Sequence, residues 1–386
     1  MIALTGGKIL TMCGKTLDPG TIITRNSKIW AVGRNLDIPP GCRVIDATGK
    51  VITPGLIDAH THLGVESEGM GWAGSDVNER SEPVTPGLHV LDAINPADLG
   101  LLEAYQGGVT TVMVAPGSAN PIGGQCALLK TAPRATVEQM LLQRYAGLKI
   151  AFGENPKRVY GADRKKMPVS RMATAALIRE TFWKARQYLL DQQGKDGKYD
   201  MGLEAVARVL RREMPLRAHA HRADDIVTAI RIAREFGVDI IIEHGTEAYL
   251  VADLLAAEQI PVVLGPTLST RSKVELKDKT MDSPALLHRQ GVLFTMMSDH
   301  PVTPSCFLSL YAGLSTRYGL PAQQALRMVT CDAARILGLA GRLGSLAPGL
   351  DADLVVWSQD PLLLSARPEM IMVDGEIDFL QATEQY

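Results

Sequence analysis

From about Val51 onward the chain alternates short apolar segments with amphipathic ones, and this alternation limits the possible folds more than any other feature. Residues 52–59, 109–115, 148–152, 216–220, 239–243, 261–264 and 292–297 are short apolar-rich runs and read as buried strands. Helical patterns lie between them. In residues 225–236, Ile226, Ile230, Ala233 and Phe236 form one stripe, with Asp224 or Asp225 as N-cap and Gly237 as stop. Strand–helix alternation on this scale builds an α/β sheet of parallel strands with helices outside, either doubly wound or closed into a barrel. Residues 157–200 interrupt the pattern with a basic, helical stretch that reads as an insertion with a solvated face, or as a lid.

The two chain ends have a different texture. Short β-type pieces separated by turns fill the first fifty residues, and residues 353–357 and 370–373 read as two more strands. Neither end can bury an apolar face alone, so the two are expected to pair in one small β-sandwich beside the central domain.

Composition removes several classes of function. The 386 residues carry 40 Lys and Arg against 42 Asp and Glu, a net charge of −2, with no long basic run, which argues against nucleic acid as a partner. The longest uncharged stretch, residues 104–129, is broken by glycines and prolines and is no membrane span. Neither a GxGxxG nor a Walker pattern is present. The N-terminus lacks the pattern of a secretory signal, and the five cysteines are widely spaced without a CxxC pair. A reduced, cytoplasmic protein is expected.

The histidines fall where strands end. His60 and His62 close the first strand in GLIDAHTHL, and residues i and i+2 of a strand share a side. His219 and His221 close LRAHAH, His244 closes DIIIEH, and Asp299 with His300 closes VLFTMMSDH. If the sheet is a barrel, strand ends converge on one pocket at its C-terminal rim. Imidazoles with a carboxylate there form a donor set for zinc, or for iron, manganese or nickel. Glu154 follows another strand end and is either a further ligand or an ion-pair partner of Lys157 or Arg158. Lys149 stands at the N-terminal end of that same strand and is read as too far from the rim to serve the metal. His89 and His288 are read as structural.

PGLIDAHTHLG, IIEHG, SDH and GSLAPGLDADLVVW together resemble the metal-dependent amidohydrolase superfamily, especially its imidazolonepropionase-like and prolidase-like branches. The resemblance runs over almost the whole chain. It implies a (β/α)8 TIM-type barrel at residues 53–344, with a β-sandwich from residues 1–52 and 345–386. It also implies metal ligands at His60, His62, His219, His244 and Asp299, with His221 facing substrate. No lysine is recognised on the fourth strand, where binuclear members carry a carboxylated one. Glu154 then stands where a deacetylase branch uses a third-strand Glu, and the metal count stays open at one or two.

Such a site hydrolyses small molecules. A bound divalent cation lowers the pKa of its water from 15.7 to about 7. Asp299 is expected to take the water's proton and pass it to the leaving nitrogen, with His244 or His221 stabilising the oxyanion. Asp58 would face the same side as His60, and either orients an imidazole or satisfies backbone. The expected substrate is a cyclic amide or amidine, an N-acyl amino acid or a dipeptide, with Asn155, Arg158, Tyr160, His221 and Arg222 as candidate contacts. The loop at residues 65–96, with Trp72, is long enough to cover the mouth. Two alternatives stand beside this reading: a ring-amine deaminase, with Glu247 as the proton donor, and a non-catalytic scaffold. A homo-oligomer is expected.

Overall fold

The computed structural model describes residues 1–192 and 198–380. Residues 193–197 of the expected insertion and 381–386 of the expected terminal domain lie outside them. The N-terminal strands are β1 (Ile2–Ile9), β2 (Leu17–Arg25), β3 (Lys28–Gly33), β4 (Arg43–Asp46) and β5 (Val51–Pro54). The next eight are β6 (Leu56–Thr61), β7 (Val109–Val114), β8 (Ile122–Lys130), β9 (Leu141–Ala151), β10 (Leu216–Ala220), β11 (Ile240–His244), β12 (Val262–Leu264) and β13 (Phe294–Met296). The chain ends on β14 (Leu354–Trp357), β15 (Pro368–Val373) and β16 (Glu376–Leu380).

Both chain ends build one sheet, in the order β16-β15-β14-β5-β1-β2-β3, with β4 also paired to β1. Its strands alternate between two cores, as a period of two requires. Leu354 and Val356 pack with Leu4, Ile22 and Ile52 in a core of this sheet's own, whereas Val355 and Trp357 join the large core shared with the barrel. The run 52–59 is therefore not one strand. It breaks at Gly55 between the two sheets, where a Cβ would come within 2.0 Å of Thr110 Oγ1, so only glycine lets β6 leave at this point.

The strands β6 to β13 form the barrel sheet, in sequence order. Its seam is closed by backbone: the Asp299 N–H donates to the His60 carbonyl at 3.2 Å, and the His62 N–H to the His300 carbonyl at 3.0 Å. The two strands bearing expected ligands are thus tied to each other directly. One element breaks the parallel order. β8 runs antiparallel to both β7 and β9, because the seven residues between β7 and β8 are too few for a crossover helix and make a hairpin-like return instead. The helix Arg171–Gln192 is no lid. It packs on the outside of the barrel between β9 and β10, with Phe182 against Phe236 of the helix Ala223–Phe236. That second helix ends as expected on Gly237 in the left-handed conformation (φ 68°), but its N-cap position is Arg222, not an aspartate.

Candidate metal and active site

Strand ends carry the polar side chains into a cavity of about 650 Å³ at the barrel rim, lined by His62, Lys149, His219, His221, His244 and Asp299, among others. Two groups of donors lie in it: His60, His62 and Asp299, and His219, His221 and His244, the ligand atoms of each group within 4.8 Å of one another. The groups adjoin, with the rings of His60 and His244 5.4 Å apart and those of His219 and His244 4.2 Å apart. Asp299 Oδ1 lies 3.4 Å from Nε2 of both His60 and His62. His244 and Asp299 both have positive φ, 69° and 55°. Left-handed backbone is unfavourable for such residues, and strain of this kind collects at functional sites.

The rings are held from behind. His62 Nδ1 donates to the Ala115 carbonyl at 2.8 Å and His244 Nδ1 to the Gly265 carbonyl at 3.0 Å, while His221 Nδ1 lies 2.8 Å from Thr246 Oγ1. With Nδ1 so engaged, Nε2 is left as the ligating nitrogen. His221 Nε2 and both ring nitrogens of His219 are buried without a hydrogen-bond partner. Burial lowers the His219 pKa to about 4 and drives those of His221 and His244 well below the ordinary range. These imidazoles are neutral and keep their lone pairs. Burial alone would raise Asp299, but His244, His60 and His62 outweigh it and hold the carboxyl well below its usual range. Neutral imidazoles with free nitrogens beside an ionised carboxylate fit a divalent cation of the borderline kind.

Other expected residues lie elsewhere. Glu154 is turned away from the donors by the short helix Glu154–Lys157; its carboxylate accepts the Glu275 N–H, and its own N–H donates to Glu275 Oε2. Arg158 is exposed, and the Tyr160 hydroxyl donates to the Glu82 carbonyl at 2.7 Å, because the helical turn Arg158–Asp163 carries both off the rim. Arg222 is spent on Asp224, by two bonds of 2.9 and 3.0 Å. Asn155 does line the cavity, bonded to Ser118 at 2.8 Å. The hydrogen bonds of Asp58 go to backbone and hydroxyl groups, not to an imidazole. The carboxylate accepts from the Ser305 hydroxyl at 2.7 Å and the Ser298 N–H at 3.2 Å, and burial raises its pKa to about 6. Glu247 accepts the Ala223 N–H at 2.8 Å, so it anchors backbone. Trp72 is 93% exposed and covers nothing.

Two lysines outside the expected set line the cavity. Lys149 is fully buried, and its Nζ reaches to 3.5 Å from His60 Nε2. β9 runs from Leu141 to Ala151, so Lys149 stands near its C-terminal end, at the rim, and not at the N-terminal end that a strand starting at 148 implies. Because β8 is a strand of the barrel, β9 is its fourth, and Lys149 stands on it. Lys273 lines the mouth, with Nζ 3.1 Å from Glu275 Oε1 and 3.5 Å from Asn155 Oδ1. Glu275 lies behind it, Oε1 3.5 Å from His221 Nε2. Burial would raise this carboxyl, but His219, His221 and Lys273 hold it far below its ordinary value.

A model described as "Amidohydrolase family" matches residues 51–380. The chain belongs to the amidohydrolase family, as a metal-dependent hydrolase of carbon–nitrogen bonds. It is 44% identical to the amidohydrolase from Thermotoga maritima MSB8, whose crystal structure matches at a TM-score of 0.95 over 99% of this chain and 100% of that one. It is 32% identical over 391 residues to amidohydrolase tasK of Hapsidospora irregularis, across 93% of this chain but only 40% of that protein. Imidazolonepropionase of Vibrio cholerae is 25% identical over 400 residues, with 94% of each covered. A prolidase complexed with N-methylphosphonate-L-proline shares the fold, at a TM-score of 0.66 and 21% identity over 98% of this chain. No helix among the described residues is long and apolar enough to cross a membrane.

Proposed function

We propose that the chain hydrolyses the amide of a small carboxylate-bearing substrate, an N-acyl amino acid or dipeptide or a cyclic amide with an acidic arm. The observation that carries this is the pair of donor groups at the rim, in which both nitrogens of His219 and Nε2 of His221 are buried without a hydrogen-bond partner and Asp299 is an ionised carboxylate beside them. His60, His62 and Asp299 would hold one divalent cation, zinc by preference, and His219 and His244 a second. A cation there supplies a Lewis acid for the carbonyl and a water of lowered pKa.

The protein's own groups do the rest. Asp299, ionised and facing the cavity, takes the proton of the attacking water and delivers it to the leaving nitrogen, work that contributes about 10²–10⁴-fold. His221 keeps Nε2 toward the cavity and donates to the oxygen that gains charge once it carries the proton there. Lys149 lies against the first group, and burial lowers its pKa, which favours the free amine. Its nitrogen can bond to the carbon of CO2 and lose a proton, giving a carbamate with two oxygens to share between the groups. Lys273 has three N–H donors, of which Glu275 and Asn155 take two, and the third is free for a substrate carboxylate. Leu268, Pro301 and Val302 offer an apolar wall to the substrate's side chain.

The test is a screen of N-acyl amino acids, dipeptides and cyclic amides against their carboxamide analogues, on protein of known metal content. Metal-dependent release of a free amine or a ring-opened acid, with the carboxylates preferred, is expected. Release of ammonia from a ring amine would make the chain a deaminase, and metal-free protein without turnover would make it a scaffold. Carbon-13 NMR in labelled bicarbonate would show the Lys149 carbamate, and its absence would leave a neutral amine there.

A further inference from the structure

Three of the rim histidines have Nδ1 engaged by a backbone carbonyl or a hydroxyl, but His60 does not. Its Nδ1 lies 2.7 Å from Glu243 Oε2. Glu243 in turn lies 2.5 Å from Arg217 Nε through its other oxygen, and Arg217 NH2 donates to the Ala59 carbonyl at 2.7 Å, next to His60 in sequence. All three side chains are 0% exposed. The chain of contacts starts and ends on β6 and crosses β11 and β10, so it joins three barrel strands beneath the donors. We propose that Glu243 is a positioning residue, which accepts the Nδ1 proton of His60 and so fixes its Nε2 toward the cation, and that Arg217 holds Glu243 for that role. The proposal rests on the reading of the rim as a metal centre.

An isolated buried carboxylate is costly, so one without a cation would not stay ionised. Arg217, equally buried and with Nε 2.5 Å from Glu243 Oε1, supplies that cation. An ionised acceptor behind a ligating imidazole fixes the tautomer and raises the ligand's basicity, more than a carbonyl does. The two contacts to Glu243 are close but stand off the line of an ideal hydrogen bond, and Nδ1 has no other acceptor among the described residues. A cation pulling on Nε2 would draw the ring into line. His60 is also the one rim ligand that contacts both Asp299 and Lys149, so its orientation sets both.

The first measurement needs no variant. Long-range proton–nitrogen NMR of the metal-free wild-type protein, with labelled histidine, should show His60 with its proton on Nδ1; a proton on Nε2 overturns the proposal. The second compares metal affinity, by competition with a chromophoric chelator, and the visible spectrum of the cobalt-loaded protein. Glu243→Gln should bind metal 10–100-fold more weakly, the usual cost of losing such an outer partner, with a changed cobalt spectrum. Because it strands Arg217, that variant is paired with the double Arg217→Met, Glu243→Gln, in which no buried charge is left alone. The double variant should still bind more weakly. Native affinity and a native cobalt spectrum in it would overturn the proposal and reduce the trio to a structural ion pair. If the wild-type protein takes up no metal, the reading of the rim fails, and the tautomer alone decides the role of Glu243.

Discussion

Two buried clusters of charge sit some distance apart in this molecule, and they are built on opposite rules. One is the donor set at the rim. The other joins the barrel to the terminal sheet, where Lys130 of β8 meets Asp351 at 3.2 Å, Asp353 at 3.1 Å and Asp374 at 2.5 Å. Asp351 is met again by Lys28 at 2.5 Å and Arg342 at 2.9 Å, and Asp353 accepts the Asp374 N–H at 2.9 Å. Each of the three protons of the Lys130 ammonium has its own carboxylate. At the rim, by contrast, His219 has no partner on either nitrogen. In the Lys130 network Asp353 Oδ2 alone is left buried without a hydrogen-bond partner among the described residues; a nearly closed network of this kind holds parts together, and an open one has binding capacity left over. The difference makes separable predictions about activity and stability.

The largest effect belongs to the open cluster. Asp299→Asn should lower kcat by about 10²–10⁴ while the denaturation midpoint stays level or rises, since groups gathered for chemistry are often held at a cost to stability. A large loss of stability in that variant would mean that the rim is a structural cluster after all. Lys130→Met should do the reverse. Removing one partner of a buried ion network costs about 3–5 kcal/mol, here because the buried Asp353 loses its cation, whereas Asp351 keeps Lys28 and Arg342. Urea unfolding should show this loss, with kcat/KM of the remaining folded protein within a few-fold of wild type. Equal stability in Lys130→Met would sink the distinction from the other side.

Metal should act on one cluster only. With free cation at about 100 times its Kd, the folded state gains about 2.7 kcal/mol, and chelation should remove that gain. Wild type and Lys130→Met should lose similar amounts, whereas His219→Ala, which lacks a ligand, should lose less. A chelator effect as large in His219→Ala as in wild type would place the cation elsewhere.

The same contrast explains what could be read from the residue order. His60, His62, His219, His244 and Asp299 stand at strand ends, and a barrel gathers strand ends whatever its loops do, so their meeting follows from topology. Lys149 is hidden because only residues 148–152 of β9 read as a strand, which puts it at the wrong end, and because β8 goes uncounted. β8 contains Gly123 and Gly124 and no alternation, being buried along its whole length, so it does not look like a strand. Without it, β9 becomes the third strand and Glu154 takes the attention that Lys149 deserved. For Asp58 the residue order leaves two roles open, and the structure has the backbone one, with the Ser298 N–H as donor. Lys273 and Glu275 had no signal at all. They sit in the irregular stretch after β12, where no periodicity assigns a side chain to the cavity.

The smallest prediction probes the closed cluster by pH. Burial raises the Asp353 pKa from 3.8 to about 6, against the opposing pull of Lys130. The folded chain therefore takes up this proton near pH 6 and the unfolded chain only near 3.8, so between the two the native state binds more protons and stability rises as pH falls. From about pH 7 to about pH 5 the group contributes about 1 kcal/mol of added stability. Asp58 titrates in the same window and in the same direction, so the wild-type profile alone cannot isolate Asp353. The difference between wild type and Asp353→Asn can, because Asp58 is common to both. Unfolding free energies of the two proteins should therefore move apart by that amount over the interval, the wild type gaining on the variant with acid. A constant difference would mean that Lys130 keeps Asp353 ionised throughout, and that the cluster is a fully charged joint whose stability falls, like that of Asp351, only at lower pH.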